Sequence, residues 1–167
     1  MIILGIDPGY AIIGWGCLRY ERGHFAPMAF GAITTPAGMP FVERLELIDR
    51  EMDLLFAKAK PDAMAIEKLY FQNNQKTAIE VAEARGVILL AAQNAGVPIY
   101  EYTPLQVKSA VTGFGQAQKP QVMEMTRRLL RLQQVPKPDD TADALAIAIC
   151  HAQMGGTALK RQIMRGV

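Results

Sequence analysis

Four acidic residues stand out by their setting. Asp7 follows the apolar run IILGI and precedes the turn signal Pro8-Gly9; Glu67 ends the apolar run AMAI; Asp140 and Asp143 open the alanine-rich stretch DTADALAIAIC. Brought together they would form a ligand set of oxygen alone, with no His or Cys beside it. That chemistry selects a hard divalent ion, Mg²⁺ with Mn²⁺ as a substitute. Such a cluster needs a cation, because two carboxylates ~4 Å apart repel by about 4 kcal/mol at an effective dielectric near 20. Two ions, typically ~3.5–4 Å apart, can activate a water and stabilise the leaving oxygen of a phosphodiester. Each acid alone also has a simpler reading. Asp before Pro-Gly forms turns, and Asp139 and Asp140 at a helix start are favourable caps. Asp143, inside an apolar alanine-rich stretch, and Glu67, at the end of a buried strand, are harder to explain that way.

The elements that must position these acids follow from patterning. Ile2–Asp7 reads as a short buried strand, with Ala11–Arg19 and Phe25–Thr34 as the next two strands around the turn Glu21-Arg22-Gly23. Connections this short make antiparallel neighbours, so the three should form a meander. Phe41, Leu45, Ile48, Met52, Leu55 and Ala59 mark one face of a helix over 41–60, opened by Pro40 and closed by Pro61. Ala63–Glu67 is a fourth strand, about 75–95 a helix closed by Gly96, and Val97–Tyr102 a fifth strand. Thr103-Pro104 caps a short helix through Lys108, a basic helix spans about 120–132, and the last helix runs from Asp139 or Asp140 to about Met154.

If the first and fourth strands are parallel neighbours, Asp7 and Glu67 emerge at one sheet edge, where open α/β sheets place their ligands. Side chains alternate along a strand, so Gly5 lies behind Asp7 and Ala65 behind Glu67, leaving room for another element. The last helix fits that room. Its Asp140 and Asp143 share one face, and Ala142, Ala144, Ala146 and Ala148 keep it slim. The order predicts an α/β fold with a mixed five-stranded sheet, three antiparallel strands plus parallel ones, and helices on both faces, an element order that resembles the RNase H-like fold.

Bulk properties bound the alternatives. The chain has 167 residues, half of them apolar and a fifth charged, which reads as one globular domain at 1–154 with a loose basic tail at 155–167. The first residues lack a signal-peptide pattern, no apolar run is long enough for a membrane span, and two cysteines without a CxxC spacing predict neither disulfides nor structural zinc. A cytoplasmic location is expected. Residues 101–167 carry 9 Lys+Arg against 5 Asp+Glu, including Lys119, Arg127, Arg128, Arg131 and Lys137; residues 1–100 carry 9 against 11. A basic flank suits a polyanion, and equally reads as a solvated helix face. His24 and His151 are expected at the surface or a helix end, and Trp15 and the methionines in the core.

At this point the chain resembles the RuvC family of bacterial Holliday junction resolvases. The stretches that carry the resemblance are ILGIDPG (3–9), AIEKLYF (65–71), ARGV (84–87), EYTPLQVK (101–108), GFGQAQKPQV (113–122) and DTADALAIAI (140–149), collinear over most of the sequence. The resemblance implies a homodimer that nicks two opposed strands of a four-way DNA junction, leaving 5′-phosphate and 3′-hydroxyl ends, in cooperation with the RuvA–RuvB branch-migration motor. It implies metal binding by Asp7, Glu67, Asp140 and Asp143, with Lys108 and Lys119 near the scissile phosphate. Tyr70 stands where the family usually has a base-stacking phenylalanine, and Phe71 beside it could share the role. Gly86 interrupts its helix, either for close packing at a dimer interface or against the chain's own sheet. Rival readings are an ATPase using the Asp7–Gly9 and Gly14 segment as a phosphate loop, a ribosomal-RNA-processing nuclease of the same fold, and a junction-binding protein without catalysis.

Overall fold

In a computed structural model of the chain, residues 1–69 and 75–165 are described, apart from the side chains of 75, 76 and 156–165. Tyr70 and Phe71 lie outside the described residues. The strands are β1 (Ile2–Asp7), β2 (Ile12–Glu21), β3 (His24–Thr34), β4 (Ala63–Glu67) and β5 (Ile99–Tyr102). The helices are α1 (Phe41–Ala59), α2 (Gln75–Asn94), α3 (Pro104–Thr112), α4 (Lys119–Leu129) and α5 (Asp139–Arg165).

One mixed sheet has the order β3-β2-β1-β4-β5. β1 pairs antiparallel with β2 and parallel with β4, β4 pairs parallel with β5, and the meander of β1, β2 and β3 forms as expected. Strand alternation divides the interior into two cores. Leu4 and Ile6 of β1 and Met64 and Ile66 of β4 meet α1 and α2 through Ile48, Met52, Phe56, Ala84, Ile88 and Ala91. Ile3 and Ala65 face the other way, toward α3, α4 and α5, with Val107, Val122, Leu145 and Ile149. Asp7 and Glu67 continue this second parity, so both carboxylates belong to the α5 side of the sheet.

Local sequence explains most helix boundaries. Lys60 takes a left-handed conformation after α1, and Gly96 (φ 68°) and Gly113 (φ 77°) do so after α2 and α3. Thr103 and Gln106 form a reciprocal capping box, with the Gln106 amide donating to Thr103 Oγ1 at 3.1 Å and the Thr103 amide to Gln106 Oε1 at 2.8 Å. α3 runs four residues beyond its expected end at Lys108, to the residue before Gly113. α5 passes its expected end at Met154 and continues through Gly155 and Gly156 to Arg165. Glycine costs about 1 kcal/mol in a helix interior, so α5 continues there against local propensity.

Two expectations about single residues need correction. His151 is buried, at 3 % exposure, in the middle of α5 rather than at a surface or helix end. The methionines divide: Met52 and Met64 are core, whereas Met28 and Met154 are exposed. His24 is exposed as expected, and Trp15 is half-buried against the α1–α2 core.

Candidate active site

The site is assembled by three close approaches of backbone. The pairing of Ile6 with Ile66 places Asp7 and Glu67 at adjacent strand ends. Asp7 in turn pairs with Gly14 of β2. α5 rests on the glycines. A Cβ added at Gly14 would stand 2.0 Å from the Asp140 carbonyl oxygen, and one at Gly5 2.0 Å from that of Ala144. At Gly16 it would meet the Leu145 side chain at 2.6 Å. The first turn of α5 therefore lies on the strand residue that pairs with Asp7, which is what brings Asp140 to it. Gly5 was legible from strand parity. Gly14 and Gly16 carry the same signal, small residues at alternate positions of one strand, but their strand partner had first to be known.

All four acids are half-buried. The Asp7 carboxyl is held well above the usual carboxylate range, first by burial and then by the charges of Asp143, Glu67 and Asp140, while Lys119 pulls it back. Glu67 is raised by burial and then by Asp143, with Lys108 and Lys119 opposing. The acids thus share one electrostatic site, and the two lysines border it. Lys119, the first residue of α4, places Nζ 2.9 Å from Asp143 Oδ2 and 4.0 Å from Asp139 Oδ2. Asp139 is a neighbour the sequence offered only as a helix cap.

Among the described residues, no three His, Cys, Asp or Glu side chains are spaced to hold a metal ion in this conformation. Mutual repulsion and the hold of Lys119 on Asp143 both oppose closure of the quartet. The chemistry of the donor set nevertheless fits a hard divalent ion: four carboxylates, two of them raised first by burial and then by neighbouring negative charge that a cation would offset.

Arg127 and Arg128 sit in the last turn of α4, roughly 12 Å along the axis from Lys119, and both bind Glu124, at 2.8 and 2.7 Å. Arg131 follows the helix in a left-handed conformation. The structure does not bring these arginines into the acid site. It adds Arg85 of α2, whose Nε donates to the Glu67 carbonyl at 3.4 Å and whose guanidinium pairs with Glu101. A lone cation in the apolar run VAEARGVILL was the available signal.

A carboxyl whose pKa is higher folded than unfolded binds extra protons in the folded state between the two values. Folding stability then falls as pH rises from the unfolded pKa through the folded one. Above the ordinary carboxylate range, the raised Asp7 and Glu67 therefore work against the fold. In EDTA, Asp7→Asn is expected to melt above the parent at pH 7, with the gap closing as pH falls toward 3.8, the ordinary value for Asp7. Equal melting temperatures at pH 7 would contradict the crowding.

Comparison with known proteins places this geometry. The family profile "Crossover junction endodeoxyribonuclease RuvC" matches residues 3–151. A protein of that name from Brevibacillus brevis is 57% identical over 153 residues, covering 92% of each chain. The solved structure of Thermus thermophilus RuvC superposes with a TM-score of 0.84 at 35% identity, covering 93% of this chain and 97% of that one. The T. thermophilus RuvC solved in complex with a Holliday junction substrate gives 0.83 at 34% identity over the same shares. With a family match across nearly the whole sequence and the acids gathered where the fold opens, the chain belongs to the RuvC family of crossover junction endodeoxyribonucleases.

Proposed function

We propose that this protein resolves Holliday junctions by metal-dependent hydrolysis of DNA phosphodiesters. The observation that carries the reading is the convergence of β1, β4 and α5, which buries Asp7 and Glu67 and sets the charge of Asp143 beside both, raising their pKa values. Asp7, Glu67, Asp140 and Asp143 would hold Mg²⁺, or Mn²⁺ in its place, with two ions per site. Bound there, the ions would supply Lewis-acid activation of water and of the leaving oxygen. The four acids orient that chemistry at the sheet edge. Lys119 is exposed, sits on a long flexible stem and is within reach of Asp143, so it can turn its ammonium to an incoming phosphate. Lys108 adds positive charge on the Glu67 side. Tyr70 or Phe71 would stack on junction bases, and Arg127, Arg128 and Arg131 would serve as an outer phosphate-binding flank.

Paired symmetric incision calls for two copies of one site, which a two-fold homodimer provides. α2 offers a surface for it. Ile79 (67 % exposed) and Leu90 (59 %) lie on its outer side, and a Cβ at Gly86 meets nothing within 4 Å. Gly86 is therefore not packed on its own sheet, and the interface reading of the two is favoured. Gly86→Leu should fold normally and sediment as a monomer at concentrations where the parent is dimeric; a folded variant that stays dimeric would count against this face. The same reading places the protein in the cytoplasm, working with the RuvA–RuvB motor. Among the described residues no helix is long and apolar enough to cross a membrane.

Incubation with a synthetic four-way junction tests the function. Mg²⁺ should produce nicks at symmetric positions on two opposed strands, with 5′-phosphate and 3′-hydroxyl ends that ligase seals, and EDTA should abolish them. Cleavage of structured RNA in preference to the junction would overturn the substrate assignment. Junction binding without cutting would overturn catalysis.

A further inference from the structure

α5 carries half of the acid quartet, so its rotation and slide over the sheet decide where Asp140 and Asp143 stand. Much of what holds it is apolar: Leu145, Ile147 and Ile149 are fully buried. Such packing favours contact but is non-directional. The glycine approaches at Gly5 and Gly14 set how near the helix comes. Direction comes from hydrogen bonds, and among the described residues side-chain bonds at Thr141 and His151 tie α5 to the sheet. Near its start, Thr141 Oγ1 donates to the Gly31 carbonyl of β3 at 3.1 Å. About 15 Å further along, the Tyr102 hydroxyl of β5 and His151 Nδ1 lie 2.7 Å apart in a buried hydrogen bond. β3 and β5 are the two edge strands, so the helix is tethered to opposite sides of the sheet.

The second tether reaches the site by a short route. Tyr102 is the register partner of Glu67, and its carbonyl accepts from the Lys68 amide at 2.8 Å. A residue paired through backbone to one acid is thus bonded through its side chain to the helix carrying two others. The imidazole is tightly held. Tyr100 lies over it at 4.4 Å between ring centroids, and a Cβ at Gly155 would stand 3.3 Å from His151 Cε1. Gly155, one turn on, makes room for the ring.

We infer that Tyr102 and His151 are positioning residues, whose hydrogen bond fixes the rotation of α5 over β4 and β5 and with it the approach of Asp143 to Glu67. A helix turns about 100° per residue, so a slip of a single position takes Asp143 off the site. The inference rests on the metal-binding role given to the quartet under Proposed function.

Its test is Mn²⁺ binding by the DNA-free protein, read from the loss of the free-ion electron paramagnetic resonance signal. Tyr102→Phe keeps the ring and removes the hydroxyl. His151→Asn keeps a polar atom near the Nδ1 position, and His151→Leu does not. Ile48→Val, in the opposite core, lowers stability without touching α5. Tyr102→Phe should weaken Mn²⁺ binding by about tenfold, the low end of what supports behind metal ligands contribute. His151→Asn should bind better than His151→Leu, and Ile48→Val should bind as the parent does. Junction affinity without metal should change less than about twofold, since its salt-dependent phosphate contacts are untouched. Unchanged Mn²⁺ affinity in folded Tyr102→Phe, or the same loss in Ile48→Val, would overturn the inference. Should Tyr102→Phe fail to fold, equal binding by the two His151 variants would do so. A parent protein with no saturable Mn²⁺ site would instead refute the metal reading of the quartet, and the positioning role with it.

Discussion

Asp7→Asn is expected to cut four-way junctions at least roughly 10³-fold more slowly than the parent, while binding them with affinity within about a factor of three. The first figure corresponds to about 4 kcal/mol of lost transition-state stabilisation, the scale of an electrostatic contribution from a fixed ion. Asp7 is the acid that feels all three others: the charges of Asp143, Glu67 and Asp140 each raise it. An amide there removes one anionic ligand and much of the field that draws a cation. Binding should survive because phosphate contacts are proposed to come from lysines and arginines rather than from the acids, and one negative charge fewer does not repel DNA. Single-turnover cutting with Mg²⁺ and a binding titration in EDTA measure the two quantities separately. Cutting at the parental rate would remove Asp7 from the chemistry. A parallel collapse of binding would mean that the substitution had damaged the fold.

The largest expected effect on stability lies one side chain behind that acid. Gly5→Val puts atoms where the backbone of α5 already is: the added Cβ alone would stand 2.0 Å from the Ala144 carbonyl oxygen and 2.9 Å from the Ala148 amide nitrogen. Overpacking against side chains typically costs ~1–3 kcal/mol because they can yield. A helix backbone cannot yield locally, so α5 must lift as a unit from Ile3, Leu18, Ala65 and Tyr102, the buried strand residues of its own core. The expected loss exceeds about 3 kcal/mol by urea denaturation, a size reserved for a few mechanisms of which backbone collision in a core is one. Gly86→Leu, at a glycine with open space around it, should leave monomer stability nearly unchanged. A Gly5→Val protein with the parental denaturation midpoint would mean that α5 is not seated as described.

The site was readable in the sequence wherever a local rule sufficed. Asp7 and Glu67 end apolar strands whose parity can be counted, and Asp140 and Asp143 share a helix face by spacing alone. Those rules put Asp7 and Glu67 at adjacent ends of the parallel strands β1 and β4, as found, and Asp140 and Asp143 in the first turns of α5. What escaped depends on partners far apart in the chain. Gly14 matters because it lies opposite Asp7 and under Asp140, a relation set by strand register and helix docking together. On β2 the alternation is further disturbed by a register shift between Cys17 and Leu18. His151 looked like a residue near a helix end because the last helix was expected to stop at about Met154. In the structure α5 runs on through both glycines, and Gly155, one turn after His151, leaves the imidazole its space. The arginines of α4 were grouped by charge, but Glu124, three and four residues away, engages two of them.

The most direct examination of the account is anomalous diffraction from crystals grown with Mn²⁺. It predicts anomalous peaks enclosed by Asp7, Glu67, Asp140 and Asp143, with those carboxylates drawn inward and Lys119 released from Asp143. Peaks confined to other surface acids, with the four carboxylates at this edge making no contact to any ion, would contradict it.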